Sequence, residues 1–208
     1  MNHASLSRLA LYAGLALCFA GGAAVAAPQI GAPAPEFTLT DANGQSRSLS
    51  EFRGQTVVLE WTNHDCPFVK KHYNGENMQK QQREAAAAGV VWLTLNSSAL
   101  GKQGHLDAAA ANSIASGWNA ANAAYLFDGD GQVGRAYAAK TTPHMYVIDS
   151  EGVLRYNGAI DSIPSADVSD IPEAIQYVET GLSELAAGEA LTTPVSQPYG
   201  CSIKYADS

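Results

Sequence analysis

The hydrophobic pattern predicts an α/β domain in three layers, α/β/α, with a mixed central sheet and an N-terminal β-hairpin. Two observations carry this. Two nearly continuous apolar and β-branched runs, residues 56–61 and 90–95, are separated by a segment of helical composition. That is the pattern of two buried parallel strands joined through a helix. Two later strand-like runs, 145–149 and 153–156, flank the turn Ser150-Glu151-Gly152. They predict an antiparallel hairpin, which makes the sheet mixed. Strands alternating with helices and then closing on a hairpin and a last helix form layers of helix on sheet.

The elements follow in order. Phe37-Thr38-Leu39-Thr40 alternates like a strand, Asn43-Gly44 is a hairpin turn, and 46–49 returns as the partner. Residues 67–88 are rich in Lys, Gln, Glu and Ala and end at Gly89, which predicts one helix with a glycine stop. A second, Ala-rich helix is predicted over 106–116, a short strand over 125–127, a turn at Asp128-Gly129-Asp130-Gly131 and a short helix over 132–139. Asp170 reads as the N-cap of a final helix, with Pro172 inside it and Glu173 at the capping-box position. That helix is expected to run to about Ala187 and stop at Gly188. Residues 191–208, with two prolines and no periodicity, read as an unstructured tail.

The first 26 residues are expected to lie outside the fold. Arg8 precedes an apolar run and then the small residues Gly21-Gly22-Ala23-Ala24-Val25-Ala26, the form of a signal peptide cleaved after Ala24-Val25-Ala26. The run is short for a membrane span. Leu17 stands before Cys18 where a lipoprotein site would carry a small residue, so Cys18 is set aside. The expected organisation is a signal peptide at 1–26, one domain at 27–190, and a tail at 191–208 carrying Cys201. Export to the periplasm or outside the cell follows as an expectation, with no membrane span after processing. Twelve basic and twenty acidic residues give a net charge of −8. Loss of Arg8 with the leader makes it 11 − 20 = −9. Such a chain is unsuited to nucleic acid or to anionic membrane surfaces.

The most informative stretch is Trp61-Thr62-Asn63-His64-Asp65-Cys66-Pro67-Phe68-Val69-Lys70-Lys71-His72-Tyr73. A strand ends, a short polar turn follows, and a thiol stands where the helix begins. Pro67 suits the first helical position, where its missing N–H costs nothing. Cys66 is then at or beside the N-cap, where unpaired N–H groups and the helix dipole favour a thiolate. Asp65 opposes this and Lys70, one turn on, supports it. The plain alternative for Cys66 is an inert core thiol. Trp61 and Phe68 read as walls of the site. Thr142-Pro143 precedes the 145–149 strand, where a proline either simply starts the strand or forms a cis bond.

Taken together these motifs resemble the thioredoxin-fold redoxins. They are similar to the alkyl hydroperoxide reductase / thiol-specific antioxidant superfamily, in its peroxiredoxin-like branch with a single Cys-Pro motif and a Tyr-Gly-Cys-Ser-x-Lys tail. The residues that carry the resemblance are Gly31-Ala32-Pro33-Ala34-Pro35-Glu36-Phe37, Leu49-Ser50-Glu51-Phe52-Arg53-Gly54, the 61–73 stretch, 91–98, Thr142-Pro143 and Tyr199-Gly200-Cys201-Ser202-Ile203-Lys204. The resemblance implies a thioredoxin-like fold and a thiol-dependent oxidoreductase. Cys66 would be the nucleophile, Cys201 a resolving cysteine, Pro143 a cis-proline beside the thiol, and Thr142 a supplier of backbone groups to a bound disulfide or peptide. Substrates would be a protein or small-molecule disulfide, or a peroxide, with a thiol protein as electron donor and no cofactor.

Two departures qualify that implication. Val69 stands where thioredoxins have their second cysteine. Asn63 stands three before Cys66, where typical peroxiredoxins have threonine, and no proline lies upstream in the loop. A different class of reading is a non-enzymatic exported module. In it the Cys66–Cys201 disulfide is structural, or His64, Cys66 and His144 bind a soft metal. The Asp128–Gly131 run lacks the rest of a calcium loop and reads as a turn.

Overall fold

The computed structural model describes Met1 and residues 27–207. The expected leader, its cleavage site and Cys18 lie outside the described residues. The strands are β1 Thr38–Asp41, β2 Ser46–Ser48, β3 Val57–Trp61, β4 Val91–Asn96, β5 Ala124–Phe127, β6 Thr141–Thr142, β7 His144–Ile148, β8 Leu154–Gly158 and β9 Cys201–Ser202. The helices are α1 Pro67–Asn74, α2 Asn77–Ala87, α3 Ala108–Gly117, α4 Gln132–Ala136 and α5 Tyr177–Ala186. Seven strands form one sheet in the order β2-β1-β5-β4-β3-β7-β8, and β6 with β9 form a separate pair. β3, β4 and β5 run parallel, while β7 is antiparallel to β3 and β1 to β5, so the sheet is mixed.

Every residue of β3 is buried, because both faces of the sheet are covered. Val57, Leu59 and Trp61 pack into one core with Leu93, Leu95, Leu126, Tyr137 and Tyr146. Val58 points the other way, into a second core with Val69, Tyr73, Met78, Trp92, Met145 and Val178. That second core lies under α1, α2 and α5. The first is covered by α4, the 3-10 turn Leu49–Phe52 and the C-terminal residues Ile203 and Tyr205. Trp61 lies in the first core and Cys66, which caps α1 after the turn, in the second, so Trp61 is no wall of the thiol site.

The structure corrects three expectations. The segment 67–88 is two helices, broken at Gly75 and Glu76, with Glu76 in the left-handed region at φ 55°. A Cβ on Gly75 would stand 2.5 Å from the Ile171 side chain and 2.9 Å from that of Val168. The glycine at the break is therefore required by a segment nearly a hundred residues away. The second correction concerns the final helix. Asp167, not Asp170, caps the first turn there, the turn is a 3-10 helix over Val168–Glu173, and α5 begins only at Tyr177. Pro172 inside that turn has no N–H to continue a helical ladder. Third, the tail is ordered, for Cys201 and Ser202 form β9.

Candidate active site

Strand register brings the site together. β3 and β7 are antiparallel with Trp61 opposite His144, so the chain leaving Trp61 and the chain entering His144 meet at one end of the sheet. After Trp61 the backbone turns sharply. Thr62 N–H donates to Leu95 O (2.9 Å), Cys66 N–H to Asn63 O (3.0 Å), and Asp65 N–H to the Asn63 side chain (2.9 Å). Asn63, 1% exposed, is thus spent on shaping the turn. Cys66 is the N-cap of α1 in extended conformation, and Pro67 is its first residue. Before His144, the Thr142–Pro143 bond is cis.

The tail supplies the third piece. β9 lies antiparallel on β6, with Cys201 opposite Thr142 and Ser202 opposite Thr141. Gly200 is so close to the Thr142 carbonyl that a Cβ would overlap its oxygen. Glycine, at φ 129°, is what this approach requires. Ile203 N–H continues the contact to Lys140 O at 3.0 Å. Cys66, Thr142, Pro143 and Cys201, 135 residues apart at the extremes (201 − 66), are thereby gathered at one place.

The two thiols are free and unequal. Cys66 is fully buried and Cys201 half-buried. As a thiol, Cys66 donates to the Thr142 carbonyl oxygen at 3.1 Å. Burial pushes its thiol up. Against that, the Cys201 S–H, the N–H groups of Val69 and Cys201 and the Thr142 hydroxyl all stabilise the thiolate, and the net shift is down. Cys201 moves the other way, to about 11, through burial first, then the hydrogen bond it gives to Cys66 and the charge there. One proton shared by two sulfurs is thus held on Cys201.

Behind the thiols is a buried polar network that the sequence reading missed. Lys71 and Asp161 side chains are fully buried and pair at 3.3 Å, and Lys71 also donates to Ile163 O at 3.1 Å. Tyr199 O–H donates to the other Asp161 oxygen. The Asn77 amide donates to His72 Nδ1 at 2.9 Å, so Nε2 carries the proton and donates to Tyr199 Oη at 3.1 Å. Burial, with Lys71 adding to it and Asp161 opposing, lowers the His72 pKa to about 4, so the ring is neutral. The Phe68 ring meets Tyr199 edge-on at 5.8 Å. A mid-helix lysine between otherwise buried positions was the available signal, but its partner is ninety residues away.

The remaining candidates fall elsewhere. His144 is engaged at both nitrogens: Lys140 N–H donates to Nδ1 (3.2 Å) and Nε2 donates to the Asn157 side chain (2.8 Å). His64 sits 3.4 Å from Asp65. Among the described residues no three His, Cys, Asp or Glu side chains come together as a metal site, so His64, Cys66 and His144 are not gathered as one. A shallow concavity beside the start of α1 is lined by His64, Lys70, Ile114, Gly117 and Trp118. Asp128 accepts from Val133 N–H, Gly134 N–H and Ser97 Oγ, holding the start of α4.

The sequence profile of the AhpC/TSA family matches residues 30–157, more than half of the chain. The chain belongs to the AhpC/TSA family. Its fold is shared with a hypothetical protein from Sinorhizobium meliloti 1021 (TM-score 0.74, 22% identity, 88% of this chain and 98% of the other covered). An uncharacterized conserved protein from Geobacillus kaustophilus gives a TM-score of 0.75 at 25% identity, over 86% and 94% of the two chains. Peroxidoxin BcpB from Mycobacterium tuberculosis gives 0.53 at 20% identity, over 77% and 97%. No curated protein matches the sequence. The fold of this AhpC/TSA protein is thioredoxin-like, with a mixed central sheet, and its family is that of thiol-dependent redoxins. Among the described residues no helix is long and apolar enough to cross a membrane.

Proposed function

We propose that this AhpC/TSA protein is an exported thiol–disulfide oxidoreductase in which Cys66 attacks and Cys201 resolves. The observation that carries the reading is the pairing of Cys201 with Thr142, which sets the second thiol against the first. The Cys66 thiolate attacks one sulfur of a substrate disulfide, forming a mixed disulfide and releasing one thiolate. The charge on Cys66 is then gone. Two of the three influences that hold Cys201 protonated, its hydrogen bond to Cys66 and the charge there, disappear with it. Cys201 loses its proton to solvent and attacks the Cys66 sulfur. The Cys66–Cys201 bond forms and the second substrate thiol leaves. A thiol protein restores the dithiol in two steps: one of its thiolates attacks Cys201, the more exposed sulfur, and Cys66 leaves as thiolate; its second thiol then displaces Cys201 and the donor departs as a disulfide.

Disulfides are favoured over peroxides. Asn63, at the position of the usual peroxidatic threonine, is committed to the turn. Missing preorganised donors commonly cost a few kcal/mol each in the transition state. Residues 1–26 supply the argument for export to the periplasm or beyond. The test is mass spectrometry and thiol titration of the purified protein before and after a disulfide substrate. One Cys66–Cys201 bond and two equivalents of released substrate thiol are expected. Two thiols that persist through that treatment sink the reading. Stopped-flow oxidation of Cys66 by hydrogen peroxide should stay below roughly 10⁶ M⁻¹s⁻¹, the range of efficient enzymes.

A further inference from the structure

The edge beside Cys66 that an extended peptide would pair with is already occupied by the chain's own tail. β9 covers β6 with Cys201 opposite Thr142. Gly200 lies flush on the Thr142 carbonyl, leaving no room for a second backbone. The strap is fastened on both sides. Upstream, Tyr199 is held by Asp161, His72 and the Phe68 ring, with Lys71 Nζ 5.8 Å from the centre of its ring. Downstream, Ile203 enters the core, Ala99 N–H donates to Lys204 O (2.9 Å), Tyr205 O–H donates to Ala139 O (2.9 Å), and Arg135 donates to Ala206 O (2.8 Å).

Peptides that bind a sheet by adding a strand need its free main-chain groups. Here those groups are taken, and freeing them means breaking β6–β9 and unseating Tyr199 from a buried ion-paired network. A small disulfide makes no strand pairing and needs none of those main-chain groups, whereas an extended polypeptide does.

We infer that the C-terminal strand, with Tyr199 as its positioning residue, confines Cys66 to low-molecular-weight disulfides and excludes extended polypeptide disulfides. This rests on the reading of Cys66 as the attacking thiol. The test compares two mixed disulfides with the same leaving group, thionitrobenzoate, whose release is followed by absorbance. One carries N-acetylcysteine and the other a twelve-residue extended peptide with a single cysteine. The protein is the reduced full chain with Cys18→Ala, so that only Cys66 and Cys201 report. The expected first-phase rate for the wild-type strap is at least a hundredfold higher on the small compound. Tyr199→Phe, checked for folding by its melting curve, should raise the peptide rate at least tenfold and the small-compound rate less than threefold. Deletion of residues 199–208 should remove the discrimination, and Tyr199→Phe decides the matter if that deletion does not fold. Equal wild-type rates on the two compounds overturn the inference and leave the chemistry standing, as does discrimination that Tyr199→Phe leaves unchanged. No release from either compound overturns the underlying reading and this inference with it.

Discussion

Each half of the site contributes one thiol and one buried carboxylate, and the two halves treat both groups differently. The β3–α1 half carries Cys66 and Glu60. The tail half carries Cys201 and leans on Asp161. Cys66, at a helix start and fully buried, is pushed toward the thiolate, while Cys201, on a short strand, is held as the thiol. Glu60 is fully buried and met only by neutral donors: Tyr73 Oη (3.0 Å), Trp92 Nε1 (2.9 Å), Gln82 Nε2 and Thr94 Oγ1 (both 3.2 Å). Its pKa is raised, because burial outweighs those four bonds. Asp161 instead faces a lysine, a histidine and a tyrosine. The lesson is that two identical thiols acquire opposite behaviour from what faces them, not from their own chemistry.

The largest expected effect separates the thiols. Cys66→Ser should lower disulfide exchange by at least about a thousandfold, since a serine hydroxyl does not ionise near neutral pH. Cys201→Ser should keep the first attack and accumulate a mixed disulfide on Cys66, visible by intact-mass measurement. If both variants exchange at the parental rate, the two thiols are not divided into attacker and resolver, and the bond between them is structural.

How much of this asymmetry the sequence revealed depends on how local its causes are. The Cys66 placement was legible because Pro67 and the preceding β-branched strand are adjacent to it in sequence. The parallel pair β3–β4 and the hairpins β1–β2 and β7–β8 were legible for the same reason, since period-two patterns and turn residues act over a few positions. The helix break at Gly75 was not, and the need for glycine there comes from Val168 and Ile171, which pack against it from far along the chain. Strand β9 has two residues and no pattern of its own. Its form is fixed by the edge of β6, by Ile203 in the core and by Tyr199 on Asp161. Glu60 and Lys71 were invisible as buried charges because nothing beside them in sequence reveals the partners. Tyr73, Gln82, Trp92 and Thr94 reach Glu60 from three different elements.

The carboxylates give the next effect. Asp161→Asn removes the charge opposite Lys71 and leaves a buried cation unpaired, a change that typically costs about 3–5 kcal/mol. Glu60→Gln leaves no such orphan, because no cation faces Glu60 among its partners. An amide can turn its oxygen to Trp92 and its nitrogen to the Tyr73 oxygen. That substitution should cost less than about 1 kcal/mol. Urea denaturation of the two variants measures both numbers. Equal losses would show that Asp161 and Glu60 are solvated alike and that the contrast between the halves is false.

The smallest effect is the pH dependence of stability, and the contrast predicts opposing contributions. His72, in α1, and His144, the first residue of β7, are both lowered to about 4, mainly by burial, against an ordinary value near 6.5. Below 6.5 the unfolded chain takes up protons at these rings and the folded protein does not. Their contribution is therefore complete above pH 6.5 and is lost as pH falls through 4, on the order of 1–3 kcal/mol for each ring. Glu60 acts the other way. Its folded pKa is raised, so its contribution is complete below the ordinary carboxylate value and declines as pH rises through the folded one. Urea denaturation between pH 7 and pH 4 should show a net fall in stability. His72→Gln or His144→Gln should flatten that fall, and Glu60→Gln should steepen it by removing the opposing contribution. A fall that neither histidine variant changes would mean that both rings are already charged in the folded protein. The Asn77 and Lys140 N–H groups would then no longer be pointing at unprotonated nitrogens.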